Sequence, residues 1–194
     1  MEFRTKVDIP RATFSIAPCE RMLFVGSCFA DNMGQKFAED KFRAVVNPFG
    51  VMYNPASIMH TVERYEGEAP RVAVLTLGTN HIYILRETGE IVDNCNKRPQ
   101  RLFEERSLTA DECAGYLMRA VRHLQSRCAE MKVIVTVSPI RYAKYGYHGS
   151  MLSKATLLLA ADMLEKQMPD VVTYFPAYEI VNDELRDYRF YRPD

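Results

Sequence analysis

Short continuous apolar runs alternate along the chain with longer stretches in which apolar residues recur every three or four positions. That alternation is the pattern of a parallel sheet covered by helices. The runs 22–25, 44–47, 72–77, 132–137 and 171–175 predict strands, several of them β-branched throughout, as strands buried on both faces are. Between them, 109–131 opens with the capping box Thr109-Ala110-Asp111-Glu112 and sets Cys113, Leu117, Ala120, Val121 and Leu124 on one face. A second helix is predicted over 153–168, with Leu157, Leu158, Ala161 and Leu164 inward and Pro169 closing it. Shorter helices are expected at 28–40, 55–65 and 178–185. One segment breaks the alternation: 81–92 reads as two strands turning near Thr88-Gly89. Such a hairpin lies beyond the end of the third strand, at the edge where open α/β sheets bind ligands, so its tip, 87–90, is expected to wall an active site.

Length and charge narrow the picture. A chain of 194 residues with 47% apolar content suits one domain over 1–194. No internal repeat or Pro/Gly-rich linker marks a boundary. Lysine plus arginine balance aspartate plus glutamate at 25 each, so no global field favours nucleic acid or an anionic membrane. The first residues lack the apolar core of a signal peptide, and no stretch reaches the roughly 18 apolar residues of a membrane helix, which reads as a cytoplasmic protein without a membrane span. Five cysteines, Cys19, Cys28, Cys95, Cys113 and Cys128, include no Cys-x-x-Cys pair. They read as free thiols, with no metal site and no cofactor implied.

Candidate chemistry concentrates in Arg21-Met22-Leu23-Phe24-Val25-Gly26-Ser27-Cys28-Phe29-Ala30-Asp31-Asn32, which passes from an apolar strand through small residues into a helix. A nucleophile at a helix amino terminus meets exposed N–H groups and the positive dipole end, which stabilise a thiolate and an oxyanion. The plainer alternative is that Ser27 caps the helix and Cys28 packs.

Gly26-Ser27-Cys28-Phe29-Ala30 is also the signature of the GSCFA family, which the chain resembles from about Arg4 to its end. Matching stretches include Asn47-Pro48-Phe49-Gly50-Val51-Met52-Tyr53-Asn54-Pro55, Ser138-Pro139, Leu152-Ser153-Lys154-Ala155-Thr156-Leu157 and Tyr174-Phe175-Pro176-Ala177-Tyr178-Glu179-Ile180. That family resembles SGNH/GDSL hydrolases. The resemblance implies a flavodoxin-like α/β/α sandwich with a mostly parallel five-stranded sheet, and hydrolysis or transfer of a small acyl ester, by analogy an O-acetyl group on a carbohydrate.

Laid on Gly-Asp-Ser-Leu without gaps, the motif puts Cys28 where the nucleophilic serine stands, and a thiolate suits acyl transfer. If the register slips, Ser27 acts instead. The second SGNH block is an oxyanion glycine, matched by Gly50, which fits a plain turn equally well. The third, Gly-x-Asn, matches Gly78-Thr79-Asn80, where the amide is expected to donate to the oxyanion together with Gly50 N–H. Relatives carry Ala-Trp where this chain has Asn80-His81.

The last block, Asp-x-x-His, supplies the base. Tyr188-Arg189-Phe190-Tyr191-Arg192-Pro193-Asp194 matches it as far as the orienting aspartate, Asp194, so the histidine and a closing helix are expected beyond it and the 194 residues are expected to turn over slowly. His81, after the oxyanion block, and His148, in the loop before the helix at 153–168, are the histidines placed to line a pocket. His60 and His123 fall within helices. Arg141, Lys144 and Lys154 lie near the same edge and read as solvated charges or as an anion site. The competing function, from another class, is a non-catalytic binding module on the same fold.

Overall fold

Strands β1 (Arg21–Gly26), β2 (Arg43–Val46), β3 (Val72–Leu77), β7 (Lys132–Val137) and β8 (Val172–Tyr174) form one all-parallel sheet in the order β2-β1-β3-β7-β8. The structure, a computed structural model, describes residues 5–9 and 11–190. Between these strands run α1 (Cys28–Glu39), α2 (Pro55–Arg64), β4 (His81–Leu85), β5 (Ile91–Val92), β6 (Phe103–Ser107), α3 (Ala110–Arg127) and α4 (Gly146–Gln167). Counting only the parallel strands, the order is 2-1-3-4-5, the flavodoxin-like arrangement.

Side-chain alternation explains why both faces are covered. Met22, Phe24, Val72 and Val74 point to one face, where they pack with Ala30, Met33 and Phe37 of α1. Their neighbours Leu23, Val25, Ala73, Leu75, Leu77, Val133, Val135 and Val137 point to the other and join α2, α3 and α4 in the larger core. The result is a three-layer α/β/α sandwich. All five predicted strands form, α3 starts at its predicted capping box, and α1 and α2 start at the expected positions, capped by Ser27 and Asn54.

Helix α3 shows the capping box in full: Thr109 Oγ1 accepts from Glu112 N–H at 3.2 Å, and Glu112 Oε2 accepts from Thr109 N–H at 2.8 Å. Cys113, Leu117, Ala120, Val121 and Leu124 are completely buried. Thr109→Ala is expected to cost about 1 kcal/mol, read as a lower urea midpoint at unchanged m-value.

Three elements differ from expectation. The hairpin at 81–92 is part of a three-stranded antiparallel sheet, β5-β4-β6, because Phe103–Ser107 pairs along the whole of β4, from His81 opposite Ser107 to Leu85 opposite Phe103. Helix α4 begins at Gly146, a full two turns before position 153. The segment 178–185 is a short α-helical turn, Ala177–Glu179, continued by a π turn over Ile180–Glu184. Among the described residues, no helix is long and apolar enough to cross a membrane.

Candidate functional site at the carboxyl edge of the sheet

The register aligns Gly26 of β1 with Thr76 of β3, and Thr76 with Thr136 of β7, so the segments after these strands emerge side by side. The order reverses between β1 and β3, which opens a crevice at their carboxyl ends. Gly26-Ser27-Cys28 lies at the end of β1 there, and Gly78-Thr79-Asn80 follows β3.

Ser27 is the N-cap of α1 and is completely buried. Its Oγ accepts from Phe29 N–H at 3.3 Å and lies 3.3 Å from Thr76 Oγ1, while its own N–H donates to Thr76 Oγ1 at 3.0 Å. The serine is thus held as a cap inside the protein. Cys28, the first residue of α1, is half-buried, and its N–H has no acceptor among the described residues.

The loop between β2 and α2 braces this turn. Asn47 Oδ1 accepts from Gly26 N–H at 2.8 Å, and its Nδ2 donates to Asp31 Oδ1 at 2.6 Å, tying the strand end to the first turn of α1. Met52 N–H donates to Gly26 O at 2.8 Å. Tyr53 O accepts from both Gly78 N–H, at 2.9 Å, and Thr79 N–H, at 2.7 Å. A side chain at Gly78 would sit 2.5 Å from the Tyr142 hydroxyl and 2.9 Å from Tyr53 O, so close approach of two loops requires glycine there.

Gly50 N–H and one N–H of the Asn80 amide are already engaged. Gly50 N–H donates to Asn47 O at 2.8 Å, closing a β-turn over Asn47-Pro48-Phe49-Gly50. Asn80 Nδ2 donates to Leu108 O at 2.7 Å, and Asn80 N–H donates to Ser153 Oγ at 3.0 Å. On Cys28 itself, the backbone N–H has no acceptor among the described residues. Asn80 Oδ1 and Ser138 Oγ, both buried at this edge, lack a partner among the described residues.

Beside the crevice lies a cleft of about 300 Å³ whose walls include Val51, Tyr53, Thr79, His81, Tyr142 and Tyr145. The antiparallel sheet contributes to it through His81, Tyr83 and Val92 near its base; the tip at 87–90 is exposed and does not line it. His81 stacks on Tyr145 with ring centroids 3.8 Å apart, and its Nδ1 lies 3.1 Å from Ser107 Oγ. Burial pulls its pKa below the ordinary histidine value, which keeps the ring neutral near pH 7. His148 is exposed on the first turn of α4 because the helix starts before it, and it lines none of the clefts found beside this edge. His60 Nδ1 lies 2.8 Å from Asp93 Oδ1. Asp194 lies outside the described residues.

The three cations expected as solvated charges or an anion site have separate fates. Arg141 donates to Asp187 Oδ1 at 2.5 Å and to Asn182 Oδ1 at 2.9 Å. Lys144 bridges Glu105, at 2.7 Å, and the Tyr83 hydroxyl. Burial pushes the Glu105 carboxyl up, but hydrogen bonds from Lys144, Tyr145 and Tyr83 outweigh it and hold it below the usual range.

Lys154 is buried to 1% exposure, and its Nζ donates to Gly78 O at 2.6 Å and Ser138 O at 2.7 Å. Desolvation lowers its pKa to about 7, partly opposed by Cys28, which is within electrostatic reach. Tyr53 and Tyr142 are raised above the ordinary tyrosine value, in each case by burial first and with Cys28 contributing. The sulfur, the lysine and the two phenols therefore share one neighbourhood. Lys154 has a sequence signal: it continues the inward stripe of Leu157, Ala161 and Leu164 back by one turn.

Comparison with curated proteins gives no match. The model of the GSCFA family matches residues 21–73 and 66–194, overlapping stretches that together take in the sheet, the crevice and the cleft, and the chain belongs to that family.

Proposed function

We propose that the protein hydrolyses or transfers a small acyl ester through a thioester on Cys28. The observation that carries this reading is the placement of Cys28: a half-exposed thiol on the first residue of α1, at the switch point of the sheet, with no acceptor for its own N–H among the described residues. Sulfur attack on an acyl carbon develops negative charge on the carbonyl oxygen, and a free N–H at a helix amino terminus is suited to receive it. Ser27 is unsuited to the task, since its hydroxyl is sealed in the cap. The cleft lined by Tyr53, Tyr142, Tyr145 and His81 offers aromatic and polar contacts to the rest of the substrate, a carbohydrate-linked ester in the first instance. Free thiols suit a reducing cytoplasm.

A second reading, a binding module without turnover, is favoured by the engagement of Gly50 N–H and the Asn80 amide. One experiment separates the two. Incubation with p-nitrophenyl acetate should add one acetyl group, mapped by peptide mass to Cys28 and absent in Cys28→Ala, with release of p-nitrophenol that the variant lacks. Equal release by both proteins, with no acetyl on Cys28, would leave the binding reading.

A further inference from the structure

We propose that Tyr188 and Arg141 form a clamp that positions Tyr142 in the wall of the cleft, through which the segment 182–188 acts on the substrate site. That they position a substrate contact rests on the acyl-transfer reading of that site. The need for a clamp starts in the backbone. Residues 138–142, which follow β7, belong to no helix or strand, so no ladder of hydrogen bonds fixes them. Their polar groups are satisfied one by one: Ser138 N–H donates to Leu77 O at 2.8 Å, Ser138 O accepts from Lys154 Nζ at 2.7 Å, and Tyr142 N–H donates to Ser150 Oγ at 3.3 Å. Between them, Pro139 O and Arg141 N–H both meet the Tyr188 hydroxyl at 2.9 Å, which donates to the first and accepts from the second. One side chain, 47 residues beyond Arg141, thus holds the middle of the loop.

The side chain of Arg141 completes the clamp. Its guanidinium donates to Asp187 Oδ1 at 2.5 Å and to Asn182 Oδ1 at 2.9 Å, and its central carbon lies 5.0 Å from the Tyr188 ring centre. Asn182 Nδ2 donates in turn to Tyr178 O at 2.8 Å, and Tyr178 belongs to the larger core. The loop is therefore anchored to the core through segment 178–188. That segment has unusual backbone. After the π turn over Ile180–Glu184, Arg186 and Asp187 have φ +56° and +74°, two consecutive non-glycine residues in the left-handed region. Such residues persist where surrounding contacts over-determine them, and the contacts here are those of Asp187 and Tyr188 with the loop.

Tyr142 follows Arg141 directly, and its place is narrow. Its ring meets Tyr53 edge-on with centroids 6.0 Å apart, and its hydroxyl lies 2.5 Å from where Gly78 would carry a Cβ. Tyr53, Thr79 and Tyr142 all line the cleft, and Tyr53 O holds the N–H groups of Gly78 and Thr79. A loop shift of about 1 Å would move the phenol against both the Tyr53 ring and the Gly78-Thr79 backbone, and displacements of that size weaken a positioned contact severely. Arg141 and Tyr188 are not among the residues that line the cleft. Their effect on a substrate therefore passes through Tyr142, the side chain they hold in place.

The test reads the clamp with and without turnover, on the whole chain labelled with 3-fluorotyrosine. The fluorine NMR signal of Tyr142, identified by its loss in Tyr142→Phe, should shift or broaden in Tyr188→Phe, which keeps the ring and removes the hydroxyl. The signal of Tyr65, identified in the same way, should stay, since its hydroxyl donates to Glu68 O at the amino edge of the sheet. With p-nitrophenyl acetate, KM in Tyr188→Phe should rise about tenfold while kcat stays within about threefold, the pattern of lost binding. A role in folding alone would lower the urea midpoint and leave KM in place. Asp187→Asn should shift the Tyr142 signal too, because asparagine tolerates the left-handed backbone and only weakens the bond to Arg141. An unmoved Tyr142 signal in folded Tyr188→Phe overturns the proposal, as does an unchanged KM or a joint shift of Tyr142 and Tyr65; if Tyr188→Phe does not fold, the same readings in Asp187→Asn decide. If the wild type takes no acetyl group on Cys28, the acyl-transfer reading falls, and the Tyr142 signal alone decides for the clamp or against it.

Discussion

Gly26→Ala is expected to destabilise the protein by more than about 3 kcal/mol, enough to collapse the site with the strand end. Gly26 has φ +147°, and a Cβ there would lie 2.2 Å from Thr76 O and 2.3 Å from Thr76 Oγ1. The obstacle is partly backbone, so no rotamer change relieves it. Moving β1 away from β3 breaks the Gly26–Thr76 register and strains the bonds from Gly26 to Asn47 Oδ1 and Met52 N–H. Gly50→Ala is the matched control: Gly50 has φ +91° but open space around its Cβ position, so only backbone strain applies, about 1 kcal/mol. Urea titration of both variants measures the difference. Similar midpoints would mean that the β1–β3 contact yields more easily than its geometry implies.

The same contact explains what in the fold is readable from the chain and what is not. Strands buried on both faces declare themselves as unbroken apolar runs, and the helix starts at Ser27, Asn54 and Thr109 are written in cap residues that the structure uses as caps. Strand β6, Phe-Glu-Glu-Arg-Ser, is hidden because only Phe103 is buried; an edge strand facing water has no apolar period to show. The start of α4 is hidden by Gly146 and Gly149, which read as loop, although Ser150, Ser153 and Lys154 lie on its buried face.

The candidate site divides along the same line. The motif Gly26-Ser27-Cys28 locates the crevice, and the cap geometry selects Cys28 over Ser27 as the more exposed side chain. Gly50 and Asn80 are matched by type and order; the turn that engages Gly50 N–H is local and is readable as a turn, whereas the Asn80 amide is engaged by Leu108 O, 28 residues on, which no local pattern records. Lysine is read as solvated by default because an unpaired charge is costly to bury. At position 154 the helix period contradicts that default, and the period prevails.

That burial has a thermodynamic consequence, which gives the other large expected effect. Lys154 has a folded pKa near 7 against 10.5 for the unconstrained side chain. Between these values the unfolded chain holds a proton that the folded protein does not, so stability rises with pH across the window. Below about 7 both states are protonated and the full penalty of the buried ammonium is present, of the order of several kcal/mol. Other groups titrate at its upper end: burial pushes the Cys113 thiol up to about 12, which makes stability fall with pH above its ordinary value of 9.0. The Lys154 contribution is therefore read as a difference between wild type and Lys154→Met, both measured by urea unfolding at several pH values. In the middle of the window the wild-type stability should rise faster than that of the variant by about 1.4 kcal/mol per pH unit, the slope for one proton. Below pH 7 the two slopes should converge. Methionine also leaves Gly78 O and Ser138 O without donors, so the variant's absolute stability carries a pH-independent cost, which cancels from the slope. Parallel curves throughout would mean that Lys154 remains charged in the folded protein up to its ordinary pKa, its two carbonyl partners notwithstanding.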